Sequence, residues 1–191
     1  NIIMQEKIFK IVSSIIKSVD LLVFSDFNYG CLPQFLVDKL TKLANEHNVM
    51  LVADSQSSSQ IGDIARFKGF NLITPTEREA RISTKNNEDG LVILAEKLKQ
   101  QSLADNIFLK IGEEGLLIHS GSQSSGYHTD RINALNSTSR DVAGAGDSLL
   151  ISSALTLASG GDIWEAAIIG SLAAAIQVGR VGNSQLQIKE L

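Results

Sequence analysis

Continuous apolar runs alternate with amphipathic stretches along the chain, and that alternation predicts most of its elements. Over residues 5–18 the apolar positions Ile8, Ile11, Val12, Ile15 and Ile16 recur at helical spacing. Leu21-Leu22-Val23-Phe24-Ser25-Asp26 follows as a short buried strand with a polar end. A second helix is predicted over 33–46, with Phe35, Leu36, Leu40, Leu43 and Ala44 inward, and Val49 to Asp54 repeats the strand-then-Asp pattern. Strands that are apolar throughout are expected where helices cover both faces of a parallel sheet. The polar run Ser55 to Gln60 predicts a loop. Asn71 to Thr74 predicts a short strand, and Thr76 with Glu79 three residues later is a capping-box pattern that opens a helix. Residues 88–102 predict another helix and Asn106 to Ile111 a strand, with Gly115 to His119 as its hairpin partner. Ser120 to Gly126 reads as a Gly/Ser connection into 127–140, and apolar helices over 145–159 and 162–178 close the chain. The order predicts an α/β fold with a mostly parallel sheet.

Composition narrows the class. The 191 residues suffice for one domain with a substantial core, and 43% hydrophobic against 20% charged residues is globular. A net charge of -4 argues against a nucleic-acid partner. A single cysteine cannot staple a fold, and no Cys/His cluster suggests zinc. No apolar run is long enough to span a membrane, and the first residues lack the layout of a signal peptide, so a cytoplasmic location without a membrane partner is expected.

Chemistry concentrates in Asp141-Val142-Ala143-Gly144-Ala145-Gly146-Asp147-Ser148, directly before an apolar helix. Gly144, Ala145 and Gly146 let a ligand approach the backbone, and amides at a helix N-terminus favour an anion. Asp147 in that turn has two readings. It is a base that accepts a proton from an attacking hydroxyl, or an acidic first-turn residue that stabilises the helix dipole. Other phosphate motifs fail: there is no Gly-Lys-Ser/Thr, Leu149 stands where a dinucleotide fingerprint needs its third glycine, and no Gly-x-Ser-x-Gly is present.

The segment from Asp141 to Ser148 resembles the Asp-Thr-x-Gly-Ala-Gly-Asp signature of ribokinase-like carbohydrate kinases, the PfkB family. Ser25-Asp26-Phe27-Asn28-Tyr29-Gly30 resembles the family's Ser-Asp-Tyr-x-x-Gly. Thr74-Pro75-Thr76-Glu77-Arg78-Glu79-Ala80 resembles Thr-Pro-Asn-x-x-Glu-Ala, and Lys110-Ile111-Gly112-Glu113-Glu114-Gly115 resembles its Thr-x-Gly-x-x-Gly turn. The tail from Ala175 to Gly182 is similar to the end of the sugar kinase in bifunctional heptose-phosphate kinase/nucleotidyltransferases.

The resemblance implies a three-layer α/β/α fold and ATP-dependent phosphorylation of a sugar or sugar phosphate with Mg²⁺. It makes Asp147 the base and Gly144, Ala145 and Gly146 the anion hole. Lys110, Gly112 and Gly115 border ATP, and Asp141 lies where related kinases bind a monovalent cation. Glu79 places Mg²⁺ through water. Three departures stand out: Thr76 for the family's Asn, Lys110 for its Thr and Val142 for the motif's Thr. They motivate an alternative, a non-catalytic nucleotide- or sugar-phosphate-binding module or a structural half-domain.

The resemblance also implies that residues 1–191 form a single, partial kinase domain, about a third short of the usual length. The N-terminal portion and β lid are the parts without a match. Either the natural product contains them, or another chain, as in a homodimer, covers the face they leave.

The remaining candidates are isolated. His47, His119 and His128 have no metal spacing and are expected at the surface or at strand ends. Cys31 is expected to be partly buried and Trp164 to pack as core. Asp26 and Asp54 end strands, where ligands of open α/β sheets bind, although both equally suit capping of the following turn. Asn136-Ser137-Thr138 matches a glycosylation acceptor, which carries no weight without a secretory signal.

Overall fold

The apolar runs become the strands of one six-stranded sheet in the computed structural model, which describes residues 2–57, 60–136, 138 and 140–190. The strands are β1 (Leu21–Asp26), β2 (Met50–Ser55), β3 (Leu72–Ile73), β4 (Asn106–Lys110), β5 (Leu116–Ser122) and β6 (Gly126–Ile132), and they lie side by side in chain order. The first four are parallel, with Val23 opposite Val52, Ala53 opposite Ile73, and Ile73 opposite Ile107. The last two are antiparallel, with Leu109 opposite Leu117 and Ile118 opposite Asp130.

Helices cover both faces. α1 (Ile2–Ile15), α2 (Gln34–Glu46), α3 (Glu77–Thr84) and α4 (Leu91–Ser102) pack on one, and α5 (Ala145–Ala158) and α6 (Ile163–Val178) on the other. Alternation along the strands feeds two cores. Leu51, Ala53, Ile107 and Leu109 face the first layer, and Val52, Phe108, Leu116 and Ile118 face the second. Phe24, Phe67 and Phe70 form a buried triad in the first core, with ring centroids 5.1 to 5.8 Å apart. Each such ring contributes about 1.5–3 kcal/mol by leaving water.

α5 and α6 cross closely because Gly170 has no side chain. A Cβ there would overlap Ser153 Oγ, which donates to Ala166 O at 2.9 Å. The capping box forms as expected: Glu79 N–H donates to Thr76 Oγ1 at 3.2 Å and Thr76 N–H to Glu79 Oε2 at 2.7 Å.

Several expectations are corrected. Gly126 to Ile132 is a strand, because β5 continues to Ser122 and turns back through Gly126. The helix expected from residue 88 begins at Leu91, since Asn86 and Asp89 hydrogen-bond each other in a preceding turn. Phe35 is exposed, lying off the stripe of Leu36, Leu40 and Ala44, with Lys39 Nζ 4.8 Å from its ring centre. α1 buries no residue, and its Ile11 and Ile15 are exposed. Cys31 is exposed in the loop after β1.

His119 is fully buried, because β5 has a neighbour on either side and Tyr127 packs 5.0 Å from its ring. Trp164 is half-buried against the second core. Ser58 and Ser59 of the expected loop, and Ser137 of the Asn-x-Thr triplet, lie outside the described residues. Among the described residues, no helix is long and apolar enough to cross a membrane.

Candidate active site

Parallel strands end together, and this brings Asp54 and Lys110 to one edge of the sheet. Lys110 N–H donates to Pro75 O at 2.8 Å, which fixes the Thr-Pro-Thr-Glu segment beside the end of β4. Its Nζ reaches back across β3 to Asp54, 3.0 Å from Oδ1 and 3.1 Å from Oδ2. Asp54 is buried and the Lys110 side chain largely so. The ammonium also faces the start of α5, where a Cβ on Gly146 would lie 3.3 Å from Nζ.

The turn into α5 depends on Gly144, whose φ of 78° is left-handed and whose missing side chain leaves room for Asn183. Gly144 caps the helix without a side-chain hydrogen bond. Ala145 N–H donates to Val142 O at 3.2 Å. Among the described residues, the amides of Gly144, Gly146 and Asp147 have no acceptor and are free donors of the turn. Asp147 is half-buried in the first helical turn, with no side-chain hydrogen bond to a described residue.

These elements border a cavity of about 290 Å³. Lys110, Gly112, Gly115 and Leu116 form one wall, Val142, Ala145, Gly146 and Leu149 a second, and residues 133–136 with Ser171, Ala174, Ala175 and Val178 of α6 the rest. A mostly apolar slot with a cation and free amides at one end suits a flat ring system joined to an anionic group. A larger open groove of about 560 Å³ between α2 and Arg66–Lys68 holds none of the motif residues.

Four predicted residues stand apart from the cavity wall: Gly144 and Asp147 in the turn into α5, and Glu79 and Asp141. Glu79 is buried, and its two carboxylate oxygens accept the amides of Ser57 at 3.0 Å and Thr76 at 2.7 Å. Asp141 accepts from Ala143 N–H at 3.0 Å and Gly182 N–H at 2.9 Å, and these two bonds hold its carboxyl below the usual carboxylate range. Asp26 pairs with Arg66 at 2.7 Å and caps Asn28 N–H, a local role. Among the described residues, no group of three or more His, Cys, Asp or Glu side chains could cage a metal ion.

The sequence reading missed two contributors. Gln177 is 1% exposed, and its Nε2 donates to Ala143 O and Gly182 O at 3.1 Å each. Asn183 fills the space beside Gly144. A glutamine in the apolar run of α6 was the available signal for the first, and nothing in the sequence marked the second.

Known proteins resemble this chain in sequence and in fold. Relatives include the bifunctional protein HldE of Desulfatibacillum aliphaticivorans, 29% identical over 92% of this chain and 35% of that protein, and HldE of Shewanella baltica, 32% identical over 93% and 36%. The chain thus spans about a third of the length of these curated relatives. Among solved structures, phosphofructokinase-2 from Escherichia coli in complex with potassium superposes with a TM-score of 0.78 at 15% identity, over 95% of this chain and 59% of that one. Arabidopsis thaliana ribokinase complexed with ribose and ATP gives 0.72 at 15% identity, over 89% and 53%. These likenesses fix the three-layer α/β/α kinase fold. The pfkB family carbohydrate kinase pattern matches residues 4–189, and the chain belongs to that family.

Proposed function

We propose that this chain carries the nucleotide-binding and phosphoryl-transfer site of an ATP-dependent kinase acting on a hydroxyl of a sugar or sugar phosphate. One observation carries the reading: Lys110 and Gly146 line one 290 Å³ cavity, with Nζ 3.3 Å from where a Gly146 Cβ would lie and with the amides of Gly146 and Asp147 free among the described residues. Residues 1–191 act as part of a single ribokinase-like domain.

ATP fits this cavity with its base and ribose against α6 and residues 133–136, and its phosphates toward Lys110 and Gly146. Lys110 neutralises phosphate charge, and the α5 amides accept the charge that develops on the transferred group. Asp147 takes the proton of the acceptor hydroxyl as its oxygen bonds to the γ-phosphorus and the bond to the β-phosphate oxygen breaks, releasing ADP. Mg²⁺, when bound, neutralises the phosphates. Phosphates and water would hold most of its coordination sphere, and Glu79, whose oxygens each accept one amide, would have lone pairs left to accept a metal-bound water.

The test is Asp147→Asn, assayed with ATP, Mg²⁺ and a panel of sugars and sugar phosphates, heptose 7-phosphate among them because of the tail's similarity. Transfer is expected to vanish with ATP binding kept, and undiminished turnover overturns the base. A second reading, a nucleotide-binding module without catalysis, is favoured by the hold of Asp54 on Lys110. ATP binding by calorimetry with no product from any acceptor would establish it.

A further inference from the structure

The loop that carries the free amides is joined to the chain after α6 by an unusual set of bonds. Four oxygens line that junction: the two of the Asp141 carboxylate and the carbonyls of Ala143 and Gly182. Each already meets an N–H. Asp141 accepts from Ala143 and Gly182 at 3.0 and 2.9 Å, and Gln177 Nε2 spans the two carbonyls at 3.1 Å each. The family resemblance places a monovalent cation at Asp141, and such an ion needs several oxygen lone pairs turned toward one point. Here one lone pair of each oxygen is taken by an N–H, and Gln177 Nε2 stands where the two carbonyls converge, so the residues as they stand do not fit an ion.

We propose that the Gln177 side-chain amide replaces the monovalent cation at this junction, so that the phosphate-binding turn is ordered without potassium. The NH₂ of a primary amide has two diverging hydrogens, which match one carbonyl on each loop. Gln177 is 1% exposed on the last turn of α6, so its position is fixed by the helix and shielded from water. Val178 O, one residue on, accepts Arg140 N–H at 2.8 Å and Asp141 N–H at 3.3 Å, which tightens the same seam.

The opposite amide orientation makes the opposite prediction. Gln177 Oε1 has no partner among the described residues. Turned over, it would face two carbonyls and be repelled unless a cation sat between them.

Thermal melting decides between the two, in KCl against tetramethylammonium chloride at equal ionic strength, about 0.1 M. The expected midpoints for the wild-type protein coincide in the two salts. A midpoint several degrees higher in KCl, saturating with concentration, overturns the proposal, because an ion that binds the native state must raise it.

Gln177→Glu sets a carboxylate against the two carbonyls and is expected to melt lower in tetramethylammonium and to recover in KCl. A folded Glu variant indifferent to potassium also overturns it. If that variant does not fold in either salt, Gln177→Ala is read in its place, with the same potassium response expected and the same indifference overturning the proposal. The inference rests on the kinase reading for the identity of the ion alone. Melting reports the junction and not turnover, so a failed kinase assay leaves this result standing.

Discussion

Lys110 Nζ sits between the carboxylate of Asp54, at 3.0 Å, and the start of α5, where it approaches the position of a Gly146 Cβ to 3.3 Å. A buried anion therefore holds a cation on the wall of the cavity. Lys110→Met leaves Asp54 buried without its partner. We expect a stability loss of about 2–4 kcal/mol, below the full cost of breaking a buried pair because the lysine is partly exposed. ATP affinity should fall about tenfold. The double variant Asp54→Asn with Lys110→Met should recover most of the stability and none of the affinity. Urea unfolding and calorimetry check both, and restored affinity in the double variant would remove Lys110 from the phosphate site.

Gly146→Ala adds one methyl between Lys110 and the free amides. The helix gains from alanine by up to about 1 kcal/mol, so the fold should hold. Phosphoryl transfer should still fall at least tenfold, with the loss in kcat if the amides act on the transition state. Steady-state kinetics separates this from a change in KM.

Gly144→Ala differs in kind. The left-handed φ and the overlap with Asn183 both oppose a side chain, and together they should cost about 2–3 kcal/mol. Pairing it with Asn183→Gly should return the part due to overlap and leave the part due to backbone strain, as read from melting midpoints.

His119 makes stability depend on pH. Burial pushes its imidazole below the ordinary value of 6.5, and its Nδ1 meets Thr129 Oγ1 at 2.8 Å. The unfolded chain then binds the proton more readily than the folded one. Stability is held above pH 6.5 and lost as the pH falls through 6.5 toward the lower folded value. Urea midpoints between those limits should drop for the wild-type protein and stay flatter for His119→Gln. Equal slopes would assign the loss to other groups.

What could be read from the sequence followed periodicity and local spacing. Leu21–Asp26 and Met50–Ser55 are legible because strands covered on both faces run apolar up to a polar end, and the Asp141–Ser148 turn because small residues before an apolar helix carry their own geometry. Gly126–Ile132 is not, since only Tyr127 and Ile132 are even half-buried and the strand is held by its pairing with β5. The Asp54–Lys110 pair spans 56 positions and exists because parallel strands end at the same edge. The fold alone joins them.

The strands stand in the sheet in the order in which they occur along the chain. Each new strand can therefore dock on the one before it as synthesis proceeds, a growth that needs few distant partners. The exception is the last pair of helices, which must travel back to cover the face formed by β2, β4 and β5. The turn bearing Gly146 and Asp147 begins that returning segment. The corner proposed to transfer the phosphoryl group is thus completed only when this returning segment docks on strands that precede it in the chain.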